Sequence, residues 1–484
     1  MIIVPGGTFF GINTALRGLM AQEKALQTTA HNIANASTPG YSRQRVVMVP
    51  AAAYPVPSMN RPGGQGWQVG TGVEVQEVRR VRDEFLDTQI RYETHALGAW
   101  ERRRDALQEI EEVFAEPSDT GFNTILNQFW ASWQELSKNA ESSPVRTTVV
   151  ETATALAEAL RHTHQQLETI REDLNQMMEI KATEVNTLAR QIADLNKQIV
   201  AIKLAGDQPN DLLDQRDKLL DELARIIDFK VKVEDNGAVQ VLLADSSQEY
   251  TINLVEVDSN GNLIRTLTYS RDPVTNNTVL SLSDGTPFTI NNGELKGLEA
   301  AREQLETFKT DLNTLTRSLA ERINDLHAAG KDLNGAPGED FFITLDGSST
   351  FTAANIDVNP AIKQDVTKVA AAIDGGPGDG SNALKIAQLK SEGISELGGV
   401  TFGDYYKNFT ARLGVAAHEA VRMATNQKSL VDQLINRRES ISGVSLDEEM
   451  AYMIQFQHGY EAAARVITTL DEMLDTLINR MAAH

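Results

Sequence analysis

Hydrophobic positions recur every seven residues at both ends of this chain. Between Ser445 and His484, Leu446, Met453, Tyr460, Ile467, Leu474 and Met481 make one row. Phe456, Ala463, Leu470 and Leu477 make the companion row three residues on, with Glu449 as its one polar member. The pattern predicts a helix whose apolar seam needs a partner. Ser445 with Glu448 three residues later is a capping-box start. Gly459 predicts a local weak point, since glycine costs a helix about 1 kcal/mol relative to alanine. At the other end, Ile12, Leu19, Leu26 and Ile33 fall seven apart within Gly11 to Ala36, with Leu16 and Ala30 placed on the same side. They predict a second seam on a helix about 40 Å long.

The first helix stops at Asn35-Ala36-Ser37-Thr38-Pro39-Gly40. Pro39 disfavours helical angles at Thr38, and Pro39-Gly40 suits the centre of a type II turn. Asn32 and Asn35 share a face, from which their amides can tie the last helical turn to the corner. Tyr41 to Val49 then reads as extended chain, so this stretch is a helix, a hard corner and a strand.

The middle changes period twice. Pro50 to Gly72 is a Pro/Gly-rich connector, and Val73 to Val81 reads as extended. Helix runs from Asp83 to Phe114 with a break expected at Gly98, and again over Asn123 to Leu136. From Pro144 to Gly206, Leu160, Leu167, Leu174, Leu188, Leu195 and Ile202 share one heptad phase, with Lys181 as the exception. That predicts a rod-like helix on the order of 60 residues. Asn210 to Ile227 is a shorter amphipathic helix. Lys230 to Leu243 alternates around Asn236-Gly237, a type I′ hairpin signal, and strands continue to Asn292. Helix returns over Gly293 to Ala329 and Asp404 to Ser440, with short strands between Phe341 and Val358.

The expected fold is mainly α with a small inserted β domain, elongated and multi-domain. Its terminal helices form a coiled-coil-like pair, and a long helical bundle fills the middle. The expected divisions are residues 1–50 with 441–484, residues 51–228 with 293–440, and the β insertion 229–292. An out-and-back chain path brings the two seams together as antiparallel neighbours.

Composition narrows the partners. Across 484 residues, 45 Lys and Arg face 67 Asp and Glu, a net charge of −22. Nucleic acid and anionic membrane are therefore not expected partners. The absence of cysteine excludes disulfides and thiolate metal sites. The start MIIVPGGTFF lacks the basic and apolar regions of a secretory signal peptide, and no run of 18 apolar residues predicts a membrane span.

Candidate chemistry is thin. His162 and His164, two apart on a helix, point to different faces and make a poor metal pair. His418-Glu419-Ala420-Val421-Arg422 has arginine where a zinc protease helix needs its second histidine. The loop Gly375 to Gly380 lacks the Lys-Ser/Thr of a phosphate-binding loop. Asp332, Asn334, Glu339 and Asp340 lack calcium-loop spacing. No catalytic residue, cofactor or metal ligand is expected.

NIANASTPGYSRQ near the start and SGVSLDEEMAYMIQFQHGYEAAARVITTLDEMLDTLINRM at the end resemble the axial proteins of the bacterial flagellum. Tyr41-Ser42-Arg43-Gln44, Ser442 to Glu449, Asp211 to Asp217 and Asn324 to Phe342 resemble the hook-associated protein 1 family within that group. His31 and His458-Gly459 depart from the family pattern, and the β insertion carries no motif. The resemblance implies a non-enzymatic homo-oligomeric ring at the hook–filament junction. Its neighbours there are the hook protein, a second junction protein and the filament. It also implies export through the flagellar type III apparatus, with a cytoplasmic chaperone on the C-terminal segment beforehand. Ile12, Leu19, Leu26, Asn32, Ile33, Asn35, Pro39, Gly40 and Tyr41 are the assembly residues expected at the first end. Met453, Phe456, Tyr460, Ile467, Leu470, Leu474, Leu477 and Met481 are those at the second. Helix pattern alone also fits a soluble or secreted coiled-coil binding module outside the flagellum.

Overall fold

The computed structural model describes residues 8–53, 69–114, 121–258, 261–374 and 376–476. Helix α1 (Thr8–Ala34) leads into strands β1 (Gln44–Pro50) and β2 (Val73–Arg80). Helices α2 (Glu84–Phe114), α3 (Phe122–Lys138), α4 (Ser143–Leu204) and α5 (Asn210–Ile226) follow. The β insertion holds β3 (Lys230–Val233), β4 (Val239–Ala244), β5 (Tyr250–Asp258), β6 (Gly261–Ile264), β7 (Leu267–Arg271) and β8 (Thr278–Leu282). Helix α6 (Glu294–Ala328) precedes a compact stretch with β9 (Phe342–Thr344), β10 (Ile356–Val358), α7 (Pro360–Gln364) and α8 (Ser381–Gln388). Helices α9 (Phe402–Ser442) and α10 (Leu446–Asp475) complete the order.

The fold is mainly helical and elongated: α4, at 62 residues, runs about 93 Å. One core joins α2, α3, the first half of α4, α6, α8 and α9. Phe129, Trp133, Phe341 and Phe342 fill its centre, with the Trp133 and Phe341 rings 5.3 Å apart. A second core joins the far half of α4, α5 and the β insertion. There β3-β4-β5-β6 form one antiparallel sheet and β7-β8 a separate pair. The hairpin β1-β2 joins residues on either side of the expected division at position 50, with register Gln44 to Arg80.

Helix-borne asparagines attach the β insertion to α4. Asn196 Oδ1 accepts from Val239 N at 3.1 Å while its Nδ2 donates to Val239 O at 2.8 Å. Asn186 does the same with Leu267, at 2.7 and 2.8 Å, and Asn175 Oδ1 accepts from Thr278 N at 2.9 Å. Asn324 of α6 grips Phe342 likewise. A side-chain amide presents the same donor and acceptor as a peptide, so it satisfies strand groups that a helix surface would leave unpaired.

Two expectations are overturned. Helix α2 runs unbroken through Gly98, which is buried. A Cβ there would lie 2.2 Å from the Arg225 carbonyl oxygen, so this glycine permits a close crossing of α2 over the end of α5. At Asn236-Gly237 only the glycine has positive φ, +85°. Gly237 N bonds Glu234 O at 2.8 Å and Glu234 N bonds Ala238 O at 2.9 Å. That is a type I turn followed by a left-handed glycine, not a type I′ turn, which needs positive φ at both central residues.

Gly98→Ala is expected to lower stability by about 2 kcal/mol or more, because backbone must move to admit the methyl group. Gly414→Ala on α9, where the nearest atom to a Cβ is 3.9 Å away, raises it by up to about 1 kcal/mol. Urea midpoints of the two variants check this.

Burial holds two histidines neutral. The His327 pKa is lowered to about 4 by burial, with Nε2 accepting from Ala370 N at 2.9 Å. His95 falls to about 3 through burial and then the charge of Arg91. Both folded values lie below the ordinary 6.5. Their contribution is therefore complete above that pH and is lost as pH falls toward 4, where the unfolded chain takes up protons and the folded chain does not. The melting temperature should drop between pH 6.5 and 5, with a shallower slope in His95→Leu.

Candidate functional site

The corner forms as its residue types require. Tyr41 N bonds Thr38 O at 3.2 Å and Gly40 has φ +86°, which closes the expected type II turn. Asn35 Nδ2 donates to His31 O at 3.0 Å, and its Oδ1 accepts from Thr38 at 3.2 Å, so this amide ties helix end to turn. Pro39 and Gly40 stand exposed at the tip.

Asn32 reaches further than expected. It is 1% exposed. Its Oδ1 accepts from Tyr41 Oη at 2.7 Å and Gln44 N at 2.9 Å. Its Nδ2 donates to Gln44 O at 2.9 Å and Glu449 Oε2 at 3.0 Å. All four hydrogen-bonding positions of the amide are filled, and α1, the corner, β1 and α10 meet on it. Burial, and then Asp211, Asp214 and Glu449, push the Tyr41 hydroxyl pKa up, so it stays a donor.

The next three residues bond α5 and the junction of α9 with α10. Ser42 donates through N and Oγ to the Asp214 carboxylate of α5, at 2.9 and 2.7 Å. Arg43 N donates to Ser442 O at 2.9 Å, where α9 ends. Its guanidinium reaches Glu448 at 2.7 Å on the first turn of α10. Gln44 Nε2 donates to Asp211 at 2.7 Å, and His31 Nε2 lies 3.3 Å from the same oxygen. The end of α1, the acidic side of α5 and the α9–α10 junction thus hold one tetrapeptide.

Beneath them lies a buried ion network. Asp214, Asp217 and Asp221 recur every three or four residues on one side of α5. Arg80 meets Asp214 and Asp217, both at 2.8 Å. Arg91 meets Asp217 at 3.2 Å and Asp221 at 2.8 Å, and Arg438 of α9 meets Asp221 at 2.7 Å. Arg82 bonds Asp87 and lies 3.6 Å from Asp217. Burial alone would raise the Asp217 pKa, but Arg82, Arg80 and Arg91 hold it at about 2. Burial works against the Arg82 charge too, yet Asp217 and Asp87 raise its pKa.

Helices α1 and α10 run antiparallel. Gly11 faces Leu470, Gly18 faces Ala463 and Gln22 faces Gly459. On α10, Met453, Phe456, Tyr460, Ile467, Leu470 and Leu474 are half-buried along the expected seam, and Glu449 is its buried member. On α1 the closest row is Gly11, Gly18, Ala25 and Asn32, small enough to admit large α10 side chains. Ile12, Leu19, Leu26 and Ile33 lie one position on, half-buried along a flank. Leu16 and Ala30, expected beside the seam, are exposed, as is Leu446 in the first turn of α10. Leu477 and Met481 lie outside the described residues. Gly459 is no weak point: α10 is continuous through it, and a Cβ there would lie 2.9 Å from Gln22.

Sequence reasoning gave no role to Ser42, Gln44, Arg80, Arg82, Arg91, Asp217 or Arg438. The signal for part of this was present, in the three-to-four spacing of acids along α5 and in a lone glutamate within an apolar seam. The arginines come from three separate stretches, and only the fold joins them. Among the described residues no cluster of three or more His, Asp or Glu is arranged to hold a metal ion. No helix there is long and apolar enough to cross a membrane.

Asp217→Asn leaves three buried guanidinium groups short of a partner, which is expected to cost about 3 kcal/mol in urea unfolding. In the parent, the folded pKa lies below the ordinary 3.8. Its contribution is complete above that pH and is lost as pH falls from 3.8 toward 2. The variant should lose less stability over that interval. An unchanged midpoint would contradict the network's role.

Comparison with known proteins agrees with this architecture. Residues 107–342 match the flagellar hook-associated protein FlgK helical domain. Residues 12–41 match the flagella basal body rod protein family, and residues 438–481 the flagellar basal body rod FlgEFG protein C-terminal family. The flagellar hook junction protein FlgK of Burkholderia pseudomallei shares the fold, with TM-score 0.64 over 73% of this chain and 100% of that one, at 16% identity. Flagellar hook-associated protein 1 of Escherichia coli is 28% identical over 97% of this chain and 99% of its own length. The Bacillus subtilis protein of that name is 34% identical over 98% of both chains, and the chain therefore belongs to the flagellar hook-associated protein 1 family.

Proposed function

We propose that this chain is a structural adaptor at the junction between flagellar hook and filament, and that it works as a ring of identical copies. Family membership makes it a structural component of the flagellum. The observation that supports the mechanism is the paired α1 and α10 locked to the body through Asn32 and Tyr41 to Gln44. In this reading the pair is one wall segment of an inner tube, and the corner sets the angle between that wall and the body. Half-buried Ile12, Leu19, Leu26 and Ile33, with exposed Leu16, Met20, Met450, Ile454, Val466 and Met473, are the positions offered to neighbouring copies. A tube subunit needs such positions beyond one stripe, because it contacts copies on several sides.

The terminal pair with β1 and β2 forms the tube unit, α2 to α6 with α9 the body, and residues 229–292 a lateral module. The hook protein on one side, and a second junction protein and the filament on the other, are the proposed neighbours. A cytoplasmic chaperone covers the C-terminal segment before export. Among the described residues no side-chain constellation adds an enzymatic role to this reading.

Truncation after Val444 tests this. The shortened chain should keep its cooperative unfolding transition, because both large cores lie outside α10. It should fail to restore filaments in cells lacking the full protein. Normal filament attachment by the truncated chain would sink the tube role.

A further inference from the structure

The body of the molecule also leaves aromatic surface in water. Phe85 and Tyr92 of α2 are 79% and 65% exposed. Seven residues apart, they stand on one side of the helix, about 10 Å apart along its axis. Covering two such rings is favourable by their apolar area and ring contacts. About 140° around α2 and about 7.5 Å further along its axis, Ile90 and Leu97 join Val431 and Ile435 of α9 in lining a groove of about 440 Å³. Lys428 and Asp432 are exposed at its edge. Four other charges that line it are matched within the chain, Arg225 with Glu101 at 2.9 Å and Arg438 with Asp221 at 2.7 Å. An incoming ring therefore meets an apolar strip of Ile90, Leu97, Val431 and Ile435 bordered by paired charges.

One chain thus carries aromatic knobs on one side of α2 and a hole on the far side, a little further along the same helix. Opposed, non-identical patches of this kind join copies head to tail, which closes into a ring when the rotation fits. We propose that Phe85 and Tyr92 of one copy seat in the α2–α9 groove of the next, a second interface between copies that is separate from the terminal helices. It rests on the ring reading above. A net charge of −22 makes copies repel at long range, and this contact supplies short-range apolar attraction through the body.

The natural absence of cysteine makes the test clean. Tyr92→Cys and Asp432→Cys are combined in the full chain, expressed in cells lacking the native protein, and oxidised with copper–phenanthroline in isolated hook–basal bodies. The two positions face opposite sides of α2, so a disulfide between them joins separate copies. The expected result is a ladder of dimers, trimers and larger species, absent from either single variant. Phe85→Ser with Tyr92→Ser, both on the surface, should leave the melting temperature unchanged. The amount of chain retained should fall about tenfold or more. A doubly substituted chain that is retained but stays monomeric overturns the proposal, as does normal retention of the serine variant. Dimers from Tyr92→Cys alone would mean that knobs meet knobs, which overturns it too. Absence of the unmodified chain from hook–basal bodies would refute the junction reading and this contact with it.

Discussion

One buried amide fixes where the two ends of this chain lie. Asn32 gives two hydrogen bonds and takes two, and its partners come from the corner, the first strand and the last helix. A buried amide that lost one of these partners would carry the full cost of an unsatisfied polar group, roughly 1–3 kcal/mol. The site therefore holds one geometry. The same logic governs Ser42 on Asp214 and the arginines on Asp217, where a charge left unpaired costs more. Apolar packing brings the terminal helices together, and polar satisfaction decides the angle at which they meet the body.

The terminal pair divides its surface by residue size. Glycine and alanine on α1 let it approach α10 closely, so the large α10 side chains fill the seam. Larger α1 residues are left along a flank and the outside. A pair closed on itself would bury those positions. Here they stay half-buried or exposed on the single chain, and in the proposed ring they are the surface offered to neighbouring copies.

Much of this was legible in the sequence. Helix spans, the type II corner and the β insertion follow from period and turn chemistry, which act over a few residues. The α10 seam was readable because its large apolar residues recur every seven positions. The matching row on α1 was misread, since glycine and alanine give no hydrophobic signal and Ile12, Leu19, Leu26 and Ile33 give a strong one. Gly98 and Gly459 were misread for a related reason. A glycine in a helix reads as a weakness until the atom that occupies its missing side-chain space is known. The arginine–aspartate network was out of reach because its members are scattered from Arg80 to Arg438. Glu449 was visible as an exception in the seam, but its partner Asn32 lies 417 residues away.

The central claim is that the Asn32 amide locks the terminal pair to the corner. Amide hydrogen exchange in full-length Asn32→Asp tests it most directly. That substitution keeps the side-chain shape but replaces two donors with a carboxylate facing Glu449. The account predicts that the Arg43 and Gln44 amides, slow in the parent, become fast, while amides of the α3–α4 core stay protected. Unchanged slow exchange at Gln44 in the variant would contradict it.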